Sequence, residues 1–515
     1  MVYALFLLKL QPLAGIRQLA NQTVWFGLSS IVGRFINYLL NPILTTIYAS
    51  EAFGEISILY AAAAFLNIIY AIGMETAFFR FSKDHESSRI FNNTFAILIL
   101  SSLFFSVLLI AFRSPVADFM EMGNHTQFVV YMILIVALDT LAVIPFSKLR
   151  QDGRPRKFAL IKLLNILVNV GLVIFFLHFC KGAYESGKHN WLASCYLPAV
   201  DIGYVFIAQL VASFITILLL FAEWKTFRFN LDFKLIRELL LYALPLIIVG
   251  FGGMVNEIID RFLLLKRFPG SLSEIKSTVG IYSANYKLAA LIVIFIQTFR
   301  MGAEPFFFKH AAAENAKENY ARIMNLFVIA CCCCFLGVSL FPDIWKYFMG
   351  VKKHPEYMKG LFLVPILMLS KIFLGIYYNL SIWYKLTNKN GTGAIITIGG
   401  ALVTVAVNYL LIPQLGYLAS ALATVACYGS MMVASYLLGQ IHYPVPYNWK
   451  RSFSYITLAV VFYVVHNMVR NMHPETALLH LMATGLIVIF GFVVLKRERQ
   501  EFLKVPYLNK IYRFI

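Results

Sequence analysis

The sequence predicts an all-α integral membrane protein with fourteen transmembrane helices. Of the 515 residues, 60% are hydrophobic and only 13% are charged. The mean hydropathy of +0.74 lies well above that of soluble domains. Apolar runs of about 20 residues, the length that crosses the hydrocarbon core, recur along the whole chain. A net charge of +19 would indicate a nucleic-acid partner in a soluble protein, but the apolar content excludes that class here.

Each apolar run is expected to be a helix, because a chain in lipid must satisfy its own backbone hydrogen bonds. The fourteen predicted segments centre near residues 19–48, 51–80, 90–112, 126–148, 157–180, 200–222, 238–267, 278–307, 320–341, 358–384, 392–412, 416–439, 451–469 and 476–495.

The basic residues between the segments predict the orientation of the chain. Lys and Arg concentrate on one side, most clearly in "KLRQDGRPRK" (148–157) and "KRERQEFLK" (496–504). Because basic loops stay in the cytoplasm, both termini are predicted to be cytoplasmic. The loop "KYFMGVKKHPEYMK" (346–359) falls on the outer side in this topology and is a local exception.

An internal repeat relates the first six segments to the next six. "VGRFINYLL" (32–40) matches "IDRFLLLKR" (259–267), and "FGEIS" (53–57) matches "VGIYS" (279–283). Three pairs of matched residues have nearly the same separation: Arg34 with Arg261, Gly54 with Gly280, and Glu75 with Glu304. Transporters are often built from such duplicated bundles.

The repeat predicts the domain organisation. Residues 1–224 would form one six-helix lobe and residues 225–441 a second. Each lobe has an even number of crossings, so a pseudo-two-fold axis along the membrane normal would relate them. Residues 442–515 would add segments 13 and 14 and a basic cytoplasmic tail.

Ionisable residues inside the segments are the candidate functional residues, because each costs roughly 2.5–3.5 kcal/mol at a helix centre. The predicted substrate-binding cations are Arg34, Arg261, Lys287, Arg300 and Lys371. Residues for ion coupling or internal pairing are Glu75, Asn256, Glu257, Asp260 and Glu304. A surplus of cations predicts an anionic substrate group, and the planar fork of arginine suits phosphate.

Internal pairing is the alternative role for some of these charges. Glu257 and Arg261 are four residues apart on one helix, as are Arg300 and Glu304. Arg34 has no acidic residue within a helical turn, and Glu75 is a distant candidate partner. We therefore expect Arg34 to face a cavity.

Helix-breaking residues are candidate hinges for alternating access, although ordinary kinks are the alternative. These residues are Pro42, Pro245, Gly250, Gly252, Gly253 and Pro305.

The sequence contains no Walker-type glycine loop and no catalytic constellation, so a transporter is favoured over an enzyme. Cys331 to Cys334 are consecutive and point to different helix faces, so no metal site is expected. No cofactor is expected either, and coupling to Na⁺ or H⁺ stays open.

Three stretches resemble polysaccharide exporters: "GLSSIVGRFINYLLNPILTTIYASEAFGEISI" (27–58), "KLRQDGRPRKFAL" (148–160) and "NYLLIPQLGYLASALAT" (408–424). The chain resembles the Wzx-type polysaccharide and O-antigen flippases of the multidrug/oligosaccharidyl-lipid/polysaccharide (MOP) superfamily. This resemblance implies transport of undecaprenyl-diphosphate-linked oligosaccharide from the inner to the outer leaflet of a bacterial inner membrane. Membrane lipids and polysaccharide polymerase components would be partners, and cell-surface polysaccharide or lipopolysaccharide the product pathway.

The resemblance also implies that cations of segments 1, 2, 7 and 8 line a central cavity. Arg34, Arg261, Lys287 and Arg300 fit these positions, but segment 2 carries no central cation. A lipid II flippase for peptidoglycan synthesis is the first alternative function. A cation-coupled drug antiporter is the second, and a non-transporting scaffold for glycan assembly is the third.

Overall fold

A computed structural model describes residues 32–502, apart from Arg34, Asn37, Lys83, Lys188, His189, His310, Ala312, His473 and Pro474. Among these described residues the regular structure is entirely helical, which confirms the all-α membrane fold. Within the described residues, twelve helices are long and apolar enough to cross a membrane. Two shorter apolar helices, Tyr38–Ile47 and Gly203–Leu219, fall in predicted segments 1 and 6. The count of fourteen crossings stays a prediction.

The chain divides into two compact units, residues 1–280 and 281–515. The longer helices of the first unit are α1 (Tyr38–Ile47), α2 (Ser50–Ala71), α3 (Met74–Phe81), α4 (Ser87–Ala111), α5 (Thr126–Gln151), α6 (Pro155–Ile174), α7 (Gly203–Leu219), α8 (Phe233–Arg267) and the first half of α9 (Leu272–Ala289). A π-helical turn, Phe175–Cys180, extends α6. Short helices lie between the longer ones: Arg113–Phe119, Gly123–His125, Lys181–Glu185, Trp191–Ser194 and Phe221–Trp224.

The second unit contains the end of α9 and seven further long helices. These are α10 (Leu291–Lys309), α11 (Ala316–Ser339), α12 (Leu363–Leu380), α13 (Asn390–Leu415), α14 (Tyr417–His442), α15 (Trp449–Met472) and α16 (Thr476–Arg497). Short helical turns complete it: Pro342–Trp345, Lys346–Met349, Pro355–Gly360, Ile382–Leu386 and Arg499–Phe502. The predicted lobe boundaries at residues 224 and 441 remain predictions.

Two predicted segments are interrupted where the sequence analysis treated them as single helices. Segment 2 breaks between α2 and α3, where Ile72 has φ 45° and Gly73 has φ 65°. Glycine tolerates this left-handed backbone, whereas the β-branched Ile72 is strained by it. Segment 8 breaks at Ala290, between α9 and α10. In segment 2 the break lies just before the helix that carries Glu75. In segment 8 it lies before the helix that carries Glu304.

Apolar side chains form a buried cluster within the first unit. Phe78 of α3, Phe95 of α4 and Leu239 of α8 belong to one buried cluster. The carboxylate of Asp232 begins α8 by accepting hydrogen bonds from the backbone amides of Lys234 and Leu235. Arg89 also pairs with Asp232, and this hydrogen bond together with those from the amides lowers the pKa of the carboxyl group.

Two glycines that the repeat matches lie at the closest approach of α2 and α9. A Cβ atom on Gly54 would lie 2.0 Å from the backbone oxygen of Lys276, and one on Gly280 would lie 1.8 Å from that of Ser50. The hydroxyl oxygens of Ser50 and Ser277 are 2.6 Å apart. Two positions that the sequence repeat matches therefore contact each other within the first unit.

We expect Gly54→Ala to destabilise the protein, because its methyl group would have to push the backbone of α9 away. Overpacking of this kind typically costs about 1–3 kcal/mol. The thermal unfolding midpoint in detergent, followed by intrinsic tryptophan fluorescence, should fall by several degrees. Gly171→Ala is the matched control, because a Cβ atom at Gly171 meets no atom within 4 Å. Equal unfolding midpoints for the two variants would contradict this packing argument.

Candidate functional site

Most predicted site residues lie within the described part of the chain, but Arg34 does not. Arg34 falls outside the described residues, and so does the side chain of Pro305. Their proposed roles as substrate cation and hinge therefore stay predictions.

Arg261 is buried in α8, where it turns back onto its own helix. Its Nη1 atom donates to Asp260 Oδ1 at 2.9 Å and to the backbone oxygen of Glu257 at 3.0 Å. Asp260 is 4% exposed and Arg261 is 9% exposed. Asn256, one turn earlier, is also buried. Arg261 thus forms an ion pair with Asp260 and a hydrogen bond with the backbone carbonyl of Glu257, while the predicted pairing with the Glu257 carboxylate stays a prediction.

Glu304 lies between two cations of the second unit. Lys385 Nζ lies 2.5 Å from Glu304 Oε1, and Arg300 Nε lies 3.3 Å from Glu304 Oε2. The guanidinium group of Arg300 also stacks 4.8 Å from the ring centre of Tyr378. This confirms the expected Arg300–Glu304 contact and adds Lys385. The cluster carries one net positive charge and lines a small cavity whose other walls are largely apolar.

Glu75 makes the equivalent contact in the first unit. Arg150 Nη1 lies 2.5 Å from Glu75 Oε1, and the guanidinium group of Arg150 stacks 4.8 Å from the ring centre of Phe79. The repeat matches Glu75 with Glu304. Both glutamates thus pair with a cation near the end of the helix two segments later. Glu75 was a candidate partner of Arg34, and its partner in the structure is Arg150.

Lys371 is fully buried within the second unit. Its Nζ atom donates to the hydroxyl of Tyr286 at 2.5 Å and lies 5.0 Å from the ring centre of Tyr428. Aromatic faces and a hydroxyl therefore stabilise the ammonium group away from solvent. Lys287 lies half-buried on α9. The structure does not bring these two lysines together with Arg300, and their substrate roles remain predictions.

The described hinge candidates do not interrupt their helices. Pro245, Gly250, Gly252 and Gly253 lie inside the continuous helix α8. Pro42 lies inside α1. The breaks occur instead at Ile72–Gly73 and Ala290, which the sequence analysis did not select. A hinge role for the prolines and glycines of α8 stays a prediction.

An ion pair beside the glycine crossing was missed. Lys276 Nζ lies 2.7 Å from Glu55 Oε1, and both residues are less than 10% exposed. Ser273 Oγ also donates to Glu51 Oε2 at 2.6 Å. These residues sit close to the predicted segment ends, where charges look like ordinary loop residues. The matched glycines, with polar residues on either side, are a signal that could have indicated this contact.

A family model described as "Polysaccharide biosynthesis protein" matches residues 19–311, more than half of the chain. Among curated proteins, none matches the sequence.

Solved structures of membrane transporters share the fold. A lipid II flippase MurJ in an inward closed conformation superposes with a TM-score of 0.67 at 15% identity, over 92% of this chain and 99% of MurJ. An inward-facing MATE family multidrug transporter gives 0.58 at 14% identity, over 79% and 94%. A MOP superfamily transporter from Pyrococcus furiosus gives 0.51 at 14% identity, over 84% and 98%. At these identities the likeness establishes the fold alone.

We expect Arg261→Gln to destabilise the protein strongly, because it removes the cation that pairs with the buried Asp260 carboxylate. Breaking one side of a buried ion pair costs roughly 3–5 kcal/mol. The double variant Asp260→Asn/Arg261→Gln removes both charges and should unfold close to the parent temperature. Thermal unfolding of the two variants in detergent tests this. An equally destabilised double variant would show that the ion pair is not the reason.

Proposed function

Because the chain belongs to the polysaccharide biosynthesis protein family, we propose that it is a flippase for a lipid-linked oligosaccharide. The family match carries this proposal. The multi-pass helical fold of MOP exporters supports transport rather than covalent chemistry. We infer that the substrate is an undecaprenyl-diphosphate-linked oligosaccharide moved from the inner to the outer leaflet of a bacterial inner membrane.

The predicted cations supply the chemistry for a diphosphate. A guanidinium group binds two phosphate oxygens at once, and such contacts are strong where water is scarce. Arg34 and Arg261 are the repeat-matched pair that we assign to the diphosphate. In this assignment Asp260 holds Arg261 until the substrate arrives and the guanidinium exchanges one anion for another. The polyprenyl tail would stay in the lipid, since its apolar surface gains nothing from a polar cavity.

Alternating access is the mechanism we assign to this transport. The contact of α2 and α9 consists of short polar bonds and glycine packing, with one ion pair, Lys276–Glu55. Such a contact can separate without exposing a large apolar surface, so its opening costs less than the opening of an apolar interface. We assign it the role of closing the outer side in one half of the transport cycle.

Lipid II transport is the second candidate function, because the solved lipid II flippase covers 92% of the chain. Growth of a strain depleted of its own lipid II flippase discriminates the two. Rescue by this protein would favour lipid II, and failure of a well-expressed protein would favour a different saccharide. The drug antiporter is less favoured. A site for cationic drugs should carry a net negative charge, whereas the predicted cavity is cationic.

We expect the cation-depleted variant Arg34→Ala/Asp260→Asn/Arg261→Gln to lose flipping. Proteoliposomes carrying a labelled undecaprenyl-diphosphate oligosaccharide report the rate at which label crosses the bilayer. Loss of the diphosphate contacts should lower this rate at least about tenfold. Lys450→Ala, an exposed cation at the start of α15, is the control and should transport normally. A normal rate for the triple variant would disprove the assigned role of the arginines.

We expect a disulfide between α2 and α9 to stop transport. Ser50→Cys/Ser277→Cys replaces two hydroxyls that are 2.6 Å apart, in a background where the native cysteines are serine. Oxidation should arrest flipping and a reductant should restore it. The single variant Ser50→Cys controls for the substitution itself. Unchanged flipping by the fully cross-linked protein would show that this contact does not open during transport.

A further inference from the structure

A cavity within the second unit lies where α11 and α15 end. It has a volume of about 200 Å³. One wall is apolar and includes Leu288, Val338 and Val364. The lining also includes polar groups of α15, above all Asn467 and Arg470. The cavity is therefore amphipathic, and it is separate from the ion pairs of Glu75, Glu304 and Arg261.

The cations beside this cavity are only loosely neutralised. Asp343 is shared by Arg470, whose Nη2 lies 3.4 Å from Oδ1, and by Lys346, whose Nζ lies 3.3 Å from the same oxygen. Charge-assisted hydrogen bonds of this kind are usually about 2.7–2.9 Å long. One carboxylate at this distance leaves a net positive charge. The site thus retains the capacity to bind an anion.

Asn467 adds an uncommitted polar group to the same lining. Its side chain is half-buried and lines the cavity. No hydrogen-bond partner for its amide occurs among the residues that the structure describes. His466 differs, because its Nε2 atom is 3.3 Å from the backbone oxygen of Leu479. An amide donor next to a guanidinium group is a suitable pair for phosphate oxygens.

The loop that borders the cavity is both basic and apolar. This loop, residues 346–359, is the one that the predicted topology places on the outer side although basic residues usually stay in the cytoplasm. Lys352, Lys353 and Lys359 are exposed on it. The aromatic side chains of Tyr347, on the loop, and Phe362, just after it, are also exposed, by 53% and 46% of their surface. Lysines combined with exposed aromatic residues are typical of a surface that lies at the headgroup level of a membrane.

We propose that this cavity binds the phosphate group of an anionic glycerophospholipid, with an acyl chain along the apolar wall. Arg470 and Asn467 would hold the phosphate, and the loop lysines would attract the lipid from the surrounding leaflet. At about 200 Å³, below the 300–1,000 Å³ of typical small-molecule pockets, the cavity has room for the phosphate and the start of one acyl chain, while the rest of the lipid would stay in the bilayer. This proposal does not depend on the protein being a flippase.

The test is lipid retention by the full-length protein, measured by native mass spectrometry after purification from membranes containing phosphatidylglycerol and phosphatidylcholine. We expect Arg470→Ala to lower phosphatidylglycerol binding at least about tenfold. Asp343→Asn should raise it, because the competing carboxylate is gone while Arg470 remains. Lys450→Ala, at the other end of α15, is the matched control and should bind like the parent.

Arg470→Ala should lower phosphatidylglycerol binding and Asp343→Asn should raise it. Because a general loss of folding would lower binding in both variants, it cannot explain this pair of results. Equal retention of phosphatidylglycerol in all variants would overturn the proposal. Preference for phosphatidylcholine, or displacement by inorganic phosphate at equal concentration, would overturn the choice of an anionic lipid. Preferential displacement by undecaprenyl diphosphate would reassign the cavity to the transported lipid.

Discussion

Backbone contact between α2 and α9 at Gly54 and Gly280 is the constraint around which the repeat is arranged. Any side chain at either position would overlap a carbonyl oxygen of the other helix. The close approach brings Ser50 against Ser277, so polar groups find partners where little water is available. In lipid, helices gain little from apolar contact with each other. Small residues and interhelical hydrogen bonds therefore supply the association.

Ionisable groups within the segments are satisfied by a small number of specific partners. Glu75 and Glu304 each accept from a cation on the helix two segments later, and Asp260 pairs with Arg261. These pairs lower the cost of inserting charge into lipid. The carboxylate partner of such a cation can also be replaced by an anionic ligand, which then binds a cation that is already in position. Structural pairing and substrate binding are thus compatible roles for one arginine.

Much of the fold was predictable because length and hydropathy dominate in a membrane. The helical class and the positions of most segments follow from local sequence, whereas the contact between the two matched glycines was not predicted. The breaks at Ile72–Gly73 and Ala290 were not predicted, because Gly73 was not selected as a candidate and Ala290 is not a helix breaker. Arg150 and Lys385 were missed as partners because they sit at helix ends, where cations are ordinary. The burial of Lys371 against Tyr286 depends on residues 85 positions apart, which no local pattern reveals.

The Lys276–Glu55 ion pair has no second copy at the crossing. Under the offset that matches Gly54 with Gly280, its two residues correspond to Ser50 and Ile281, which carry no charge. A symmetric ancestor made of two identical halves would have had either no such pair or two. The single pair therefore makes the two halves complementary rather than interchangeable. Replacing one half with a duplicate of the other would therefore leave a buried Glu55 or Lys276 without its partner, which destabilises the protein.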